Sequence, residues 1–327
     1  MFSAADTAFM AQAIRLAELG RYTTSPNPNV GAVLVQNGVV VGSGYHRQAG
    51  GPHAEVFALR EADSAAKGAT CYVTLEPCSH YGRTPPCAEA LIAAGVARVV
   101  VAMQDPNPQV AGRGVAMLRH AGIVVDVGLL EVQARALNPG FLSRMERKRP
   151  YVQLKLAASL DGRTALANGD SKWLTGAAAR SDVQHYRAQS CAILSTATTV
   201  LADNARLNLR AEQLLQSVTA LESGELRQPK RVILDRNGVL DQRQAIFNDG
   251  GEVLLCVSKV ENSRQLPNIA RQIHCPLDSN AQFDLVALLE HLALRENVNT
   301  LWVEAGATLA GTLLQLNLVD ELIVYIA

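Results

Sequence analysis

Apolar and polar positions alternate in two distinct rhythms along the 327 residues, and the rhythm restarts once. Val30–Val35 and Val39–Gly44 are apolar runs separated by Asn37-Gly38, a dipeptide that favours a two-residue hairpin turn. Helical spacing follows from His53 to Ala62, then a strand pattern at Thr70–Leu75. Pro85-Pro86 can open a helix from Cys87 to Ala94, which Gly95 closes. A strand at Arg98–Ala102, a helix near Val110–Ala121 and a short strand at Ile123–Val127 complete this half. Met1 to Gly20 carries Asp6, Arg15 and Glu18 among apolar residues and is expected to form an amphipathic helix rather than a cleaved leader. A sheet covered by helices buries these elements most economically.

The pattern breaks near Asn138–Pro150, where Asn138-Pro139-Gly140 precedes Arg144, Arg147, Lys148 and Arg149. A turn cluster plus a charge run between apolar stretches is expected to connect two domains, 1–146 and 147–327, with the charges on a solvated face. The second half resumes with a nearly continuous apolar strand at Tyr151–Ala158. A helix at Ala177–Gln189 and strands at Cys191–Ser195, Arg231–Leu234 and Glu252–Val257 follow. A helix at Phe283–Leu294, a strand at Thr300–Val303, a helix at Thr308–Leu316 and a strand at Leu322–Ala327 end the chain. Because the chain stops inside an apolar strand, further residues are expected beyond Ala327.

Composition narrows the function classes. Lys plus Arg equal Asp plus Glu at 30 each, giving no support to nucleic acid or an anionic membrane as partner. No apolar run is long enough to span a bilayer. The six cysteines are expected to be reduced in a cytoplasm, with Cys71, Cys191, Cys256 and Cys275 as small buried hydrophobes.

Candidate chemistry concentrates in His53-Ala54-Glu55, Pro77-Cys78 and Cys87. One imidazole and two thiolates suit tetrahedral zinc with a fourth position open to water, and the thiolates neutralise the dication. Cys87 falls in the first turn of a helix, whose positive end favours its thiolate. Glu55, two residues from His53, is better placed to exchange protons with water than to ligate beside it. A closed structural zinc site remains an alternative, although it needs a fourth ligand; His80 is the nearest competitor.

The pattern resembles the cytidine-deaminase superfamily signature of His-x-Glu, then Pro-Cys and a second Cys. The usual Cys-x-x-Cys is here widened, with Cys78 and Cys87 enclosing Ser79-His80-Tyr81-Gly82-Arg83-Thr84-Pro85-Pro86. That insertion resembles the bacterial riboflavin-biosynthesis deaminase–reductase family. So do Ser25-Pro26-Asn27-Pro28-Asn29-Val30-Gly31-Ala32-Val33 and Asp105-Pro106-Asn107-Pro108 with Gly112-Arg113-Gly114. The resemblance implies an α/β protein: a cytidine-deaminase-like three-layer α/β/α domain followed by a dihydrofolate-reductase-like α/β domain. It implies zinc and NADPH as cofactors and a homo-oligomer as the assembly. It also implies hydrolytic deamination of 2,5-diamino-6-(5-phosphoribosylamino)pyrimidin-4(3H)-one, then reduction to 5-amino-6-(5-phosphoribitylamino)uracil. Asn27 and His46 would contact the base and Arg83 the phosphate. A guanidinium on a Gly-flexed loop suits bidentate phosphate capture.

No Gly-x-Gly-x-x-Gly follows a strand in the second half, so a Rossmann site is unsupported. Instead Leu301–Glu304 leads through Ala305 into Gly306, Ala307, Thr308, Leu309, Ala310, Gly311 and Thr312, a small-residue turn opening a helix. Ser159–Thr164, Ser171–Gly176 and Asp203–Arg210 resemble the family's reductase domain. By position, that resemblance puts Ala157, Trp173, Thr199, Asp203 and Gly306 to Thr312 against NADPH. It puts Ser171, Arg187, Leu207, Arg210 and Glu304 against substrate, with Lys155 beside its polar groups. Arg187 and Arg210 are expected as phosphate clamps, and Asp203 as ordering the loop they share. Two other readings stay open: a nucleic-acid base deaminase with an accessory binding domain, which calls for a basic, aromatic groove, and a zinc-stabilised scaffold tolerant of Glu55 loss.

Overall fold

The computed structural model describes residues 1–81, 85–108, 110–164, 175–214, 226–261 and 263–327. Two compact units divide the chain, Met1–Arg147 and Lys148–Ala327.

In the first unit, helix α1 (Ala4–Glu18) is started by Ser3, whose side chain accepts from Asp6 N while the Asp6 carboxylate accepts from Ser3 N. Asp6 also receives the Tyr72 hydroxyl at 2.8 Å and Arg98 Nη1 at 2.6 Å, fastening the helix to the sheet. Strands β1 (Gly31–Gln36) and β2 (Val39–Tyr45) form the expected hairpin. Helix α2 (Ala54–Ala62), β3 (Thr70–Val73), α3 (Cys87–Ala93) and β4 (Arg98–Val101) follow. Then come α4 (Arg113–His120), β5 (Val124–Val127), α5 (Glu131–Ala136) and α6 (Pro139–Arg147). The sheet order is β2-β1-β3-β4-β5, with β1 antiparallel to both neighbours and β3, β4 and β5 parallel. Helix α2 lies close on β2: a Cβ at Gly42 would sit 2.2 Å from the Ala58 carbonyl oxygen, so no other residue fits there.

Two expectations are corrected here. The helix near Val110–Ala121 starts only at Arg113, because Gly112 at φ 76° supplies a left-handed N-cap and the preceding residues form turns. Asn138–Pro150, expected as a solvated connection, is mostly helix α6, which Pro139 opens as its first residue. Proline suits that position because its missing N–H would be unpaired anyway.

The second unit is built on a seven-stranded sheet. Its elements are β6 (Tyr151–Ala158), α7 (Ala177–Gln189), β7 (Ala192–Thr196), α8 (Ala197–Asp203), β8 (Lys230–Leu234) and β9 (Val253–Val257). They continue with β10 (Ala270–His274), α9 (Leu285–Leu294), β11 (Thr300–Glu304), α10 (Ala307–Gln315) and β12 (Glu321–Ile326). The order β10-β9-β8-β7-β11-β6-β12 is parallel at every pairing. The connection leaving β7 leads to β8 on one side, while that leaving the adjacent β11 leads past β6 to β12 on the other. Ligands of open parallel sheets bind at such switch points, at the carboxyl ends of the strands. Fully buried Val152, Leu154, Ile193, Leu194, Leu254 and Trp302 fill both faces of the sheet. The four cysteines outside the metal motif, Cys71, Cys191, Cys256 and Cys275, are all buried.

Candidate functional sites

His53 is the N-cap of α2, Cys87 is the first residue of α3 and Cys78 lies on the segment leaving β3. Their ligand atoms lie within 4.8 Å of one another. His53 Nδ1 is 3.2 Å from Cys87 Sγ and 3.5 Å from Cys78 Sγ. Zinc–nitrogen and zinc–sulfur bonds at a tetrahedral angle place such atoms roughly 3.5 Å apart, so the three donors fit zinc. Without metal, the Cys87 thiol donating to Cys78 lowers the Cys78 pKa, and the thiolate it favours raises that of Cys87. The hydrogen bond to Cys78 raises His53 to about 8.

Glu55, one residue into α2, is 3% exposed, and its Oε2 is buried without a hydrogen-bond partner. Burial raises its pKa. An orphaned carboxylate oxygen beside three metal donors calls for an occupant that can donate, and water is the smallest. His53, Glu55 and Cys78 open into one cavity of ≈520 Å³ that also takes in Asn27 and His46. His46 Nδ1 is 3.0 Å from the Pro52 carbonyl, and its Nε2 is 3.1 Å from Asn27 Nδ2. The carbonyl requires Nδ1–H, leaving Nε2 to accept from Asn27. Burial lowers the pKa of His46, which favours this neutral form. Arg83 lies outside the described residues. His80 lines the cavity but is not among the three clustered donors.

Sequence reasoning missed three contributors. Glu76, next to Pro77-Cys78, is 3% exposed and accepts from the backbone N–H groups of Asp105, Gly112 and Val115 at 2.9–3.2 Å. It thereby ties the ligand segment to the start of α4. The two approach so closely that a Cβ at Gly114 would lie 1.9 Å from the Pro77 carbonyl oxygen. Asp105 also lines the cavity, and burial lifts it to about 6. Arg144, assigned by sequence to a solvated charge run, lines the same cavity from α6. Only the helical spacing of Phe141, Arg144 and Met145 after a possible N1 proline signalled this.

In the second unit, the anticipated residues gather at the carboxyl ends of adjacent strands. Lys155 and Ala157 lie in the C-terminal half of β6, Thr199 and Asp203 one turn apart on α8 after β7, and Glu304 ends β11 before α10. Lys155 is in direct register with Glu304. Arg187, expected as a phosphate clamp, instead pairs with Glu304 through two hydrogen bonds of 2.6 and 2.8 Å and donates to the Asn208 carbonyl at 2.7 Å. Trp302 Nε1 donates to the same carboxylate at 2.8 Å and stacks on Tyr186. Burial opposes the charge on Glu304, but Arg187, with Lys155 and Trp302, outweighs it and keeps the pKa low. Leu207 is buried at φ 51°, and Arg210 is half-buried in the same loop. Ser171 and Trp173 lie outside the described residues.

Helix α10 begins at Gly306 with no side-chain cap, and nothing lies within 4 Å of where a Gly306 Cβ would be. Uncapped N–H groups facing open space fit a cofactor phosphate. A cytidine-deaminase-like metal centre joined in one chain to a parallel-sheet reductase defines a bifunctional deaminase–reductase.

The comparisons give the family. Residues 3–103 match the cytidine and deoxycytidylate deaminase zinc-binding region, and residues 150–327 match the RibD C-terminal domain. The riboflavin biosynthesis protein RibD of Escherichia coli is 55% identical, over 98% of this chain and 87% of its own length. That of Haemophilus influenzae is 54% identical, over 100% and 87%. The solved RibD of Acinetobacter baumannii superposes with TM-score 0.87 at 47% identity, covering 99% of this chain and 86% of that one. A Thermotoga maritima diaminohydroxyphosphoribosylaminopyrimidine deaminase/5-amino-6-(5-phosphoribosylamino)uracil reductase superposes with TM-score 0.84 at 35% identity, covering 99% and 86%. The chain belongs to the RibD family. It is an enzyme of riboflavin biosynthesis, a deaminase joined to a reductase, served by zinc and NADPH. Its substrates are small molecules, and among the described residues no helix is long and apolar enough to cross a membrane.

Proposed function

We propose that the first unit deaminates 2,5-diamino-6-(5-phosphoribosylamino)pyrimidin-4(3H)-one. The second unit then reduces the ring-opened ribosyl group of the product, giving 5-amino-6-(5-phosphoribitylamino)uracil. The observation carrying this reading is the buried, unpartnered Glu55 oxygen beside His53, Cys78 and Cys87.

His53 Nδ1 and the sulfurs of Cys78 and Cys87 would hold zinc, which would supply the Lewis acidity that makes water nucleophilic near neutral pH. Glu55 takes the proton that water loses as its oxygen bonds to the amine-bearing carbon. Glu55 then returns a proton to the nitrogen, the carbon–nitrogen bond breaks and ammonia leaves. Asn27 and His46 orient the pyrimidine, and Arg83 holds its phosphate.

In the second unit, bound NADPH would supply the hydride for the imine carbon of the open ribosyl chain, with the imine nitrogen taking a proton from solvent. Gly306 to Thr312, Ala157, Trp173, Thr199 and Asp203 hold the cofactor. Lys155, Ser171, Leu207, Arg210 and Glu304 hold the substrate, and Arg187 keeps Glu304 charged and in place. The expected setting is a homo-oligomer in the cytoplasm, where thiolate ligands stay reduced.

The test measures ammonia release from the diaminopyrimidinone with and without NADPH. Zinc-dependent release without NADPH, with NADPH oxidised only afterwards, is expected. Glu55→Gln should keep bound zinc but lower ammonia release by roughly 10²–10⁴-fold, the ordinary worth of a positioned acid–base group. Retained turnover in that variant removes Glu55 from the chemistry.

A further inference from the structure

The loop after α8 turns at Asn204, which is left-handed at φ 46°, and then carries Leu207 at φ 51°. A leucine there is strained and persists only where its surroundings hold it. Among the described residues, no backbone–backbone hydrogen bond holds Arg206 to Leu209. Side chains do so instead. The Gln228 amide spans Leu209, with Oε1 accepting from Leu209 N and Nε2 donating to Leu209 O, both at 2.9 Å. Gln184, on α7 and 3% exposed, accepts from Arg210 N at 3.0 Å. Arg187 donates to the Asn208 carbonyl and Arg231 to that of Arg206. Leu207 and Leu209 point inward, 4% and 3% exposed, so the alternation leaves Arg210 on the other side.

Gln228 is itself braced. Its neighbour Arg227 donates to the Ser190 carbonyl at 2.7 Å, and the buried Pro229 leads into β8. Two fixed points, α7 and the entry to β8, therefore grip the two peptide units preceding the Arg210 side chain. Arg187 extends the grip to Glu304, so the loop and the end of β11 are held in one network.

We propose that Gln228, with Gln184, is a positioning residue for the reductase reaction: its two-point hold on Leu209 sets the strained loop so that Arg210 meets the substrate phosphate without first ordering. This rests on the assignment of Arg210 to that phosphate. A remote phosphate is gripped equally in ground and transition states, so weakening it raises KM and spares kcat.

The experiment supplies the deaminated ribosylamino phosphate and saturating NADPH to wild type, Arg210→Ala, Gln228→Ala and the double variant. Ammonia release by the first unit of each preparation serves as an internal control. Gln228→Ala should raise the reductase KM about tenfold, as two neutral hydrogen bonds would, with kcat changed by less than about twofold. In the Arg210→Ala background the same change should add less than about twofold, because the group being positioned is gone. If Gln228→Ala fails to fold, Gln184→Met removes one bond of the same grip and should raise KM several-fold.

Fully additive effects, equal losses in kcat and kcat/KM, or an unchanged KM would each overturn the proposal. If Arg210→Ala raises KM while Gln228→Ala does not, the positioning role alone falls. If Arg210→Ala leaves KM unchanged, the phosphate assignment falls and the proposal with it.

Discussion

The two candidate sites are assembled on opposite principles. In the first unit, side chains converge on a point and leave something unmet: three donors within 4.8 Å and a buried carboxylate oxygen with no partner. In the second unit, side chains satisfy one another, Arg187 and Trp302 on Glu304, while α10 starts without a side-chain cap and with open space beside Gly306. The metal centre thus takes its chemistry from side chains aimed inward. The dinucleotide site we propose would take its binding from a backbone turn and from the carboxyl ends of the parallel strands. Each should respond to a different kind of damage.

Metal removal gives the largest contrast. Chelation, or Cys87→Ser, should lower ammonia release on the order of 10³-fold, the scale of several kcal/mol of lost electrostatic stabilisation. NADPH oxidation by the same sample, supplied with deaminated substrate, should continue, and zinc should restore the chelated wild type. A parallel loss of both activities would show that the metal supports more than its own site.

Arg187→Ala probes the self-satisfied network. It leaves Glu304 buried beside Trp302 and Lys155 without its main counter-charge, which should destabilise the second unit by about 3 kcal/mol. Glu304→Gln should cost less because no buried charge remains, and the double variant should cost less than the sum. Denaturant midpoints of the second unit measure this. An unmoved midpoint with a raised reductase KM would return Arg187 to the clamp role that its sequence position implied.

The same contrast explains what could be read in the sequence. His53, Glu55, Cys78 and Cys87 were legible because metal chemistry restricts residue types and they fall within 35 positions. Glu76 was not: it acts by accepting from three backbone N–H groups, and any acidic residue looks alike until the chain is folded. Arg144 was misplaced for a local reason. Asn138-Pro139-Gly140 has turn chemistry, yet Pro139 serves as the first residue of α6, and helical spacing then brings Arg144 to the cavity. Helix α8 was missed because Thr198-Thr199-Val200 is a β-branched run of modest helix propensity. It forms because the Thr196 side chain caps it and fully buried Val200 anchors it. Strand β10, Ala270–His274, carries Arg271, Gln272 and His274 because it lies at the sheet edge, where only Ile273 is buried. Arg187 was seen as important, but its partner Glu304 is 117 residues away, and no spacing rule links them.

The smallest effect concerns the frame beneath the metal site. Burial alone would raise the pKa of Asp6, but Arg98, Ser3 and Tyr72 all donate to it and hold it well below the usual carboxylate range. A carboxylate depressed in the folded state stabilises the fold above its unfolded pKa, and that contribution disappears as the pH falls through the folded value. Asp6→Asn keeps the shape but sets an amide N–H₂ against donors, and should cost about 2 kcal/mol at pH 7. The cost should persist to about pH 5 and shrink below the unfolded carboxylate value near 4, where the unfolded wild-type chain takes up a proton that folded Asp6 still refuses. Denaturant midpoints of metal-free wild type and variant at pH 7, 5 and 3 would follow it, since acid also strips zinc from thiolates. A difference that stayed constant to pH 3 would mean that shape, rather than charge, holds α1 to the sheet.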